Sequence, residues 1–202
     1  MDMITILNPH SILDVGVGFG KYGVLCREYL ELWNRSDNYR GFTRRIDGVE
    51  IFEDYLTPLH KFAYDNLYIG DIVELATKSD FRYDLVLLID ILEHLDKAAG
   101  RKLVNDLMQR NEGVLLAVPK DIGIQGSSFN NPHERHKTGW TKRQLCKLGS
   151  VIYLNNSSSH IVYLGKRDKV ACVEKALRVA KVKRFLLSFY IFRRLRQLIK
   201  KR

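Results

Sequence analysis

The sequence predicts an α/β fold, a doubly wound and mostly parallel sheet. Short apolar runs alternate with helix-spaced segments across residues 11–165. One of them, YDLVLLI at Tyr83–Ile89, is apolar almost throughout, as in a central parallel strand covered on both faces. The first strand also runs straight into a glycine-rich turn, ILDVGVGFGKYG at residues 12–23, that opens a helix. A length of 202 residues suits one α/β domain with a sizeable core.

In chain order, Ile12–Val15 reads as a short buried strand. Lys21–Trp33 has helical spacing, with Tyr22, Leu25, Cys26, Tyr29, Leu30 and Trp33 on one stripe. Ile46–Glu50 reads as a second strand, Asp54–Ala63 as a helix, and Leu67–Ile69 as a short third strand before Gly70-Asp71. After the Tyr83–Ile89 strand, Ala98–Gln109 is helical and Val114–Val118 is a fifth strand stopped by Pro119. The polar, Gly-containing stretch Lys120–Gly139 is too long for an idle connection and reads as a functional loop. Thr141–Leu148 reads as a short helix capped by Thr141. Val151–Asn155 and His160–Leu164 read as an antiparallel pair joined by NSSS.

The net charge of +10 is localised. From Arg178 to Arg202 there are ten Lys or Arg and no Asp or Glu, while the 23 basic residues before them balance 23 acidic ones. A basic tail points to an anionic partner. The opening MDMITILNPH has no basic start and no sustained apolar run, so no signal peptide is expected. No window approaches the ~20 apolar residues of a membrane span. Three scattered cysteines, Cys26, Cys146 and Cys172, suggest reduced thiols in a cytoplasmic protein.

A strand, a glycine turn and a helix make an anion- and nucleotide-binding corner. A dinucleotide fingerprint would require Gly-x-Gly-x-x-Gly, but Lys21 stands where its third glycine belongs. The glycines fall at Gly16, Gly18 and Gly20, with Asp14 two positions before the first. This Asp-x-Gly-x-Gly-x-Gly pattern resembles motif I of class I S-adenosylmethionine-dependent methyltransferases, of the type 11/12-like kind. Glu50 ends the second strand, Gly70-Asp71-Ile72 follows the third, and DILEHL (Asp90–Leu95) follows the fourth. All are similar to that family's motifs in the same order.

The resemblance implies a seven-stranded sheet with an antiparallel edge hairpin, and S-adenosyl-L-methionine as cofactor. Asp14, Gly16, Val17, Gly18 and Gly20 would hold its methionine end. Glu50 and Ile51 would hold the ribose, because a carboxylate accepts two hydrogen bonds at once. Asp71 and Ile72 would flank the adenine, although Gly-Asp is also a helix-start signal. Asp90 and Ile91 would lie near the methionine part or the acceptor. Asp14 is expected to orient the turn through backbone N–H groups. The first strand begins near residue 11, which leaves no room for the N-terminal helices of many relatives.

The segment NNPHERHKTGW (130–140) should hang over the same sheet edge as a substrate loop. His133, His136 and His94 are the candidate catalytic bases, since imidazole titrates near neutrality. His133 and His136 lie three apart, but a closed zinc site wants four ligands and no cysteine is near, so no metal is assigned. In the tail, Val182, Phe185, Leu186, Phe189, Phe192, Leu195, Leu198 and Ile199 recur every three or four residues opposite a basic face. That pattern suits a helix lying in a membrane interface. Residues 1–167 are therefore expected to form the methyltransferase-like domain and 168–202 a basic amphipathic helix.

The functional expectation is methyl transfer to a small-molecule or a glycan- or lipid-linked acceptor, in the cytoplasm or at the inner face of a membrane. The alternative is a non-catalytic member acting as a scaffold through its basic helix. Nucleic acid is a weaker partner for the tail, because no reader motif accompanies the charge.

Overall fold

In the computed structural model the chain forms seven strands. They are β1 (Ser11–Val15), β2 (Arg45–Glu50), β3 (Asn66–Ile69), β4 (Leu85–Ile89), β5 (Gly113–Pro119), β6 (Val151–Leu154) and β7 (Ser159–Gly165). The structure describes residues 1–32, 41–127 and 129–199, with side chains in the last helix described through Leu186 except Arg184. The sheet order is β3-β2-β1-β4-β5-β7-β6. β3 through β5 are parallel, and β7 runs antiparallel to both β5 and β6. The doubly wound sheet and its antiparallel edge hairpin are as expected. Successive strands step outward from β1 on one side and from β4 on the other. That reversal leaves a crevice beyond their carboxyl ends, where open α/β sheets bind ligands.

β4 shows why the sheet is central. Leu85 and Leu87 face one layer, Val86 and Leu88 the other, and all four are fully buried. Truncating any of the three leucines to Ala would cost about 2–5 kcal/mol. The first layer holds α1 (Asp2–Leu7), α2 (Lys21–Arg27), α3 (Pro58–Ala63) and the start of α7 (Arg167–Ile199), through Met3, Ile4, Cys26, Ala63 and Val173. The other holds α4 (Ile72–Lys78), α5 (Lys97–Arg110) and α6 (Lys142–Leu145), through Ile72, Ala76, Leu103, Leu107 and Leu145.

Several elements differ from the sequence reading. The N-terminus does form a helix, α1, which buries Met3 and Ile4 and packs on α7. The expected helix over 54–63 is split into a turn of 3-10 helix at Glu53–Tyr55 and α3. Pro58 is the reason: the residue before a proline is driven out of the helical region, and Thr57 is extended and caps α3 instead.

The helix expected over 21–33 ends as α-helix at Arg27 and continues as a π-turn over Glu28–Leu32. Its inner face is not the apolar stripe alone. Arg27 and Glu31 are buried and paired at 2.8 Å. Arg27 also pairs with Asp65 at 2.9 Å and donates to the carbonyls of Ala63 and Arg44. With its donors so occupied, the guanidinium ties α2 to the chain around β2, and its desolvation is offset. Trp33 and residues 34–40 of the expected loop lie outside the described residues.

Candidate active site

The turn after β1 is fixed at one peptide group from both sides. The Gly18 N–H donates to Glu50 Oε2 at 3.0 Å. The Gly18 carbonyl meets His60 Nε2 at 2.8 Å. Thr57 N donates to His60 Nδ1 at 3.0 Å, so Nδ1 is the acceptor and Nε2 carries the proton that Gly18 receives. Glu50 is anchored in turn by Phe52 N, which donates to Oε1 at 2.9 Å. Gly16 and Val17 both donate to the Val49 carbonyl, which seats the turn on β2.

Glycine is required at two positions for different reasons. Gly16 has φ +72°, and a Cβ there would stand 2.3 Å from Ile91 Cδ1. Gly18 has φ +52°, but a Cβ there would meet nothing within 4 Å. Backbone is thus exposed to open space above Gly18, as a cradle for a ligand needs. Val17 is buried in the layer beneath, so its side chain is structural. Ile91 packs against the turn and the core.

Asp14 corrects one expectation. Its partner is not the turn's backbone but Tyr64, whose hydroxyl donates to Oδ2 at 2.5 Å and accepts from Gly23 N at 3.1 Å. Burial pushes the Asp14 carboxyl up to about 7; the Tyr64 hydrogen bond opposes this and the Glu50 charge adds to it. Asp14 therefore braces α2 against β1 from beneath the turn.

The other cofactor candidates share the same edge. Ile51 is half-buried just past β2. Asp71 is the N-cap of α4 and accepts from Val73 N at 2.8 Å, while Ile72 is buried in the core. The helix-start reading of Gly-Asp is the one the hydrogen bonding shows: Asp71 caps α4, just past the carboxyl end of β3. Asp90 directly follows β4 with φ +56°, a conformation uncommon outside glycine. It is exposed on the cleft, where the protein around it raises its carboxyl and Lys21, His94 and His136 pull the other way.

The loop after β5 folds down onto the turn after β4. Lys137 N and Thr138 N donate to the Glu93 carbonyl, and buried Trp140 donates from Nε1 to Leu92 O at 3.1 Å. Earlier in the loop, Glu134 Oε1 accepts from the Tyr55 hydroxyl at 2.9 Å, clipping the loop to the β2 side of the cleft. His94 and His136 come together, with ring centroids 5.1 Å apart. Each bonds through Nδ1 to a backbone carbonyl, His94 to Arg135 and His136 to Ile122. Since a carbonyl only accepts, Nδ1 carries a proton on both rings, and in a neutral imidazole so held Nε2 is the lone-pair atom. His133 is exposed and does not join them. Burial lowers the His94 pKa.

Glu93 is 1% exposed, and its Oε2 has no hydrogen-bond partner among the described residues. Burial pushes its carboxyl up to about 8, with Asp90 and Glu134 adding to the rise. The donor atoms of Glu93, His94 and His136 lie within 4.8 Å of one another.

Sequence reasoning missed His60, Tyr64 and Tyr55. His60 had one local signal, the Thr57-Pro58-x-His60 cap; Tyr64 and Tyr55 had none. A cavity lined by Thr5, Asn8, Glu31 and Arg44 lies at the amino ends of β1 and β2, away from this site.

No family model matches the chain, and no curated protein matches it in sequence. Solved structures do. The N-terminal domain of EvdMO1 with SAH bound is 17% identical, with 81% of this chain and 77% of that one covered and a TM-score of 0.55. The methyltransferase domain of bacterial CtHen1-CN is 18% identical, covering 82% and 94%, at 0.54. A SAM-dependent methyltransferase from Archaeoglobus fulgidus is 14% identical, covering 77% and 86%, at 0.56.

Proposed function

We propose that this chain, which has the class I methyltransferase fold, is an S-adenosylmethionine-dependent methyltransferase acting on a small-molecule or a lipid- or glycan-linked acceptor. One observation carries the reading. Glu50 and His60 clamp the Gly18 peptide from opposite sides, and the space above Gly18 is open. A rigid, glycine-floored cradle with a carboxylate beside it fits a nucleoside carrying an amino-acid arm.

In this reading the Gly16–Gly20 turn holds the methionine arm and Glu50 accepts from the ribose hydroxyls. The backbone at Asp71 and Ile72 borders the adenine. The cofactor supplies a methyl group on a positively charged sulfur. The chain's own task is to hold donor and acceptor in line and in contact, which can lower a barrier by several kcal/mol. Asp90, His94 and His136 stand at the acceptor end. A free Nε2 on either imidazole can take the proton of a hydroxyl acceptor. His133 stands apart from that group.

We also propose a peripheral position for the protein at the inner face of a membrane. α7 packs on the body through Val170, Val173 and Leu177. Beyond them Val182, Phe185 and Leu186 are exposed among basic residues. Among the described residues no helix is long and apolar enough to cross a membrane, so contact would be with the surface. The rest of the apolar series, Phe189 to Ile199, lies outside the described side chains.

Calorimetric titration of the full chain with S-adenosylmethionine tests the enzyme reading. Micromolar binding lost in Glu50→Ala supports it. No binding by folded protein overturns it and leaves the scaffold alternative. Labelled-methyl transfer into a cell extract would then identify the acceptor.

A further inference from the structure

The loop after β5 brings His136 to the turn after β4, where His94 stands next to Glu93, a buried carboxylate with one oxygen unpaired among the described residues. We propose that Glu93, His94 and His136 form a binding site for a divalent transition-metal ion. Two imidazoles and one carboxylate are a donor set for ions such as Mn2+, Fe2+, Co2+ or Zn2+, and a set of three leaves open positions for a substrate oxygen.

Three features of the site are independent of one another. One donor atom of each of the three side chains already lies within 4.8 Å of the others. Ligands held at ~2.0–2.2 Å from one ion lie roughly 3–3.5 Å apart. Small side-chain rotations close the difference. Next, both rings are set in the state a metal requires. The Nδ1–H of His94 and of His136 is bound to a backbone carbonyl, which fixes the tautomer and frees Nε2. Metal-ligating histidines are held in this way by their surroundings. Finally, Glu93 Oε2 is buried without a partner among the described residues. An unpaired buried oxygen is costly unless something is bound there.

The trio stands beside Asp90 at the acceptor end of the cleft, and what the ion does there rests on the methyltransferase reading. An ion with open positions binds a hydroxyl acceptor and lets it lose its proton near neutral pH, as it does for bound water. The acceptor oxygen, its proton passed to solvent, forms the new O–C bond as the S–C bond breaks to leave a neutral thioether. The substrate class is then a hydroxyl compound, not an amine.

Co2+ is the probe, titrated into chelator-stripped full-length protein and read by calorimetry and visible absorption. The expected result is one Co2+ per chain at micromolar Kd with a ligand-field band. Glu93→Gln, His94→Gln and His136→Ala should each weaken it at least ~tenfold. Circular dichroism identifies any variant that fails to fold, and the remaining ones decide. His10→Ala, a surface histidine elsewhere, should change nothing. No binding below millimolar Co2+, or binding indifferent to the folded site variants, overturns the site. SAH titrated into the same samples separates the two readings. SAH without Co2+ binding removes only the metal site, and Co2+ without SAH binding removes only the cofactor reading.

Discussion

His60 Nε2 donates to the carbonyl of Gly18 across 42 residues of chain, at 2.8 Å. The bond makes a buried side chain on α3 part of the floor of the cleft. Replacing His60 by Ala strands the Gly18 carbonyl and the Thr57 N–H together. Each lost partner costs about 1–3 kcal/mol. In a chain of this size each kcal/mol lowers Tm by roughly 2–4 °C. The turn should loosen as well, so SAH affinity is expected to fall at least ~tenfold by calorimetry at a temperature where the variant is folded. His60→Gln, which keeps one donor and one acceptor, should recover part of both losses.

Glu50 does structural work before any ligand arrives, because its two oxygens accept from Gly18 N and Phe52 N. Glu50→Gln places an amide nitrogen, a donor, against one of these donors. Cofactor affinity is therefore expected to fall by more than about tenfold even though size and shape are kept, since a buried donor is left unpaired. Equal affinity for SAH in Glu50→Gln would show that neither oxygen matters as an acceptor.

Asp14 gives the fold a pH dependence of unusual sign. Its carboxyl is raised by burial to about 7 from an ordinary 3.8, so the folded state holds the proton more tightly than the unfolded chain. Its stabilising share is complete below about pH 4 and is lost as pH rises through about 7. Asp14→Asn, which stays neutral and can still accept from Tyr64, should escape that loss. The Tm difference between Asp14→Asn and the parent is expected to be smallest near pH 4, to grow in the variant's favour up to about pH 7 and to level off by pH 8.5. A difference independent of pH would mean that Asp14 titrates normally.

The sheet was readable because hydrophobic patterning determines which faces a strand buries. The alternation of Leu85 and Leu87 against Val86 and Leu88 is written in the chain. The glycine turn was readable because positive φ leaves few choices at Gly16 and Gly18. Arg27 and Glu31 were not readable as interior residues. Periodicity assigns charges to the surface, and only the partners Asp65, Arg44 and Thr43 make their burial tolerable. The same holds for Asp14, visible as a motif residue while Tyr64, its partner, stands fifty positions away. His94 and His136 were both visible as candidates. Their meeting over Glu93 depends on the course of a loop that Trp140 anchors, and no local pattern encodes that course.

The last expectation concerns the tail. Val170, Val173 and Leu177 belong to the core, so a chain cut after residue 177 keeps the part of α7 that the body needs. Removing 178–202 removes Val182, Phe185 and Leu186, all exposed, and ten basic residues. Membrane-surface binding of such a segment combines apolar burial with attraction to anionic lipid, and added salt weakens only the second part. Full-length protein should co-sediment with phosphatidylserine-containing vesicles, less so at high salt and weakly with neutral vesicles. The truncated protein should stay in solution while its SAH affinity and Tm are unchanged. Full-length protein that ignores anionic vesicles would exclude the membrane reading. A fall in Tm on truncation would instead mean that the tail packs on the body it follows.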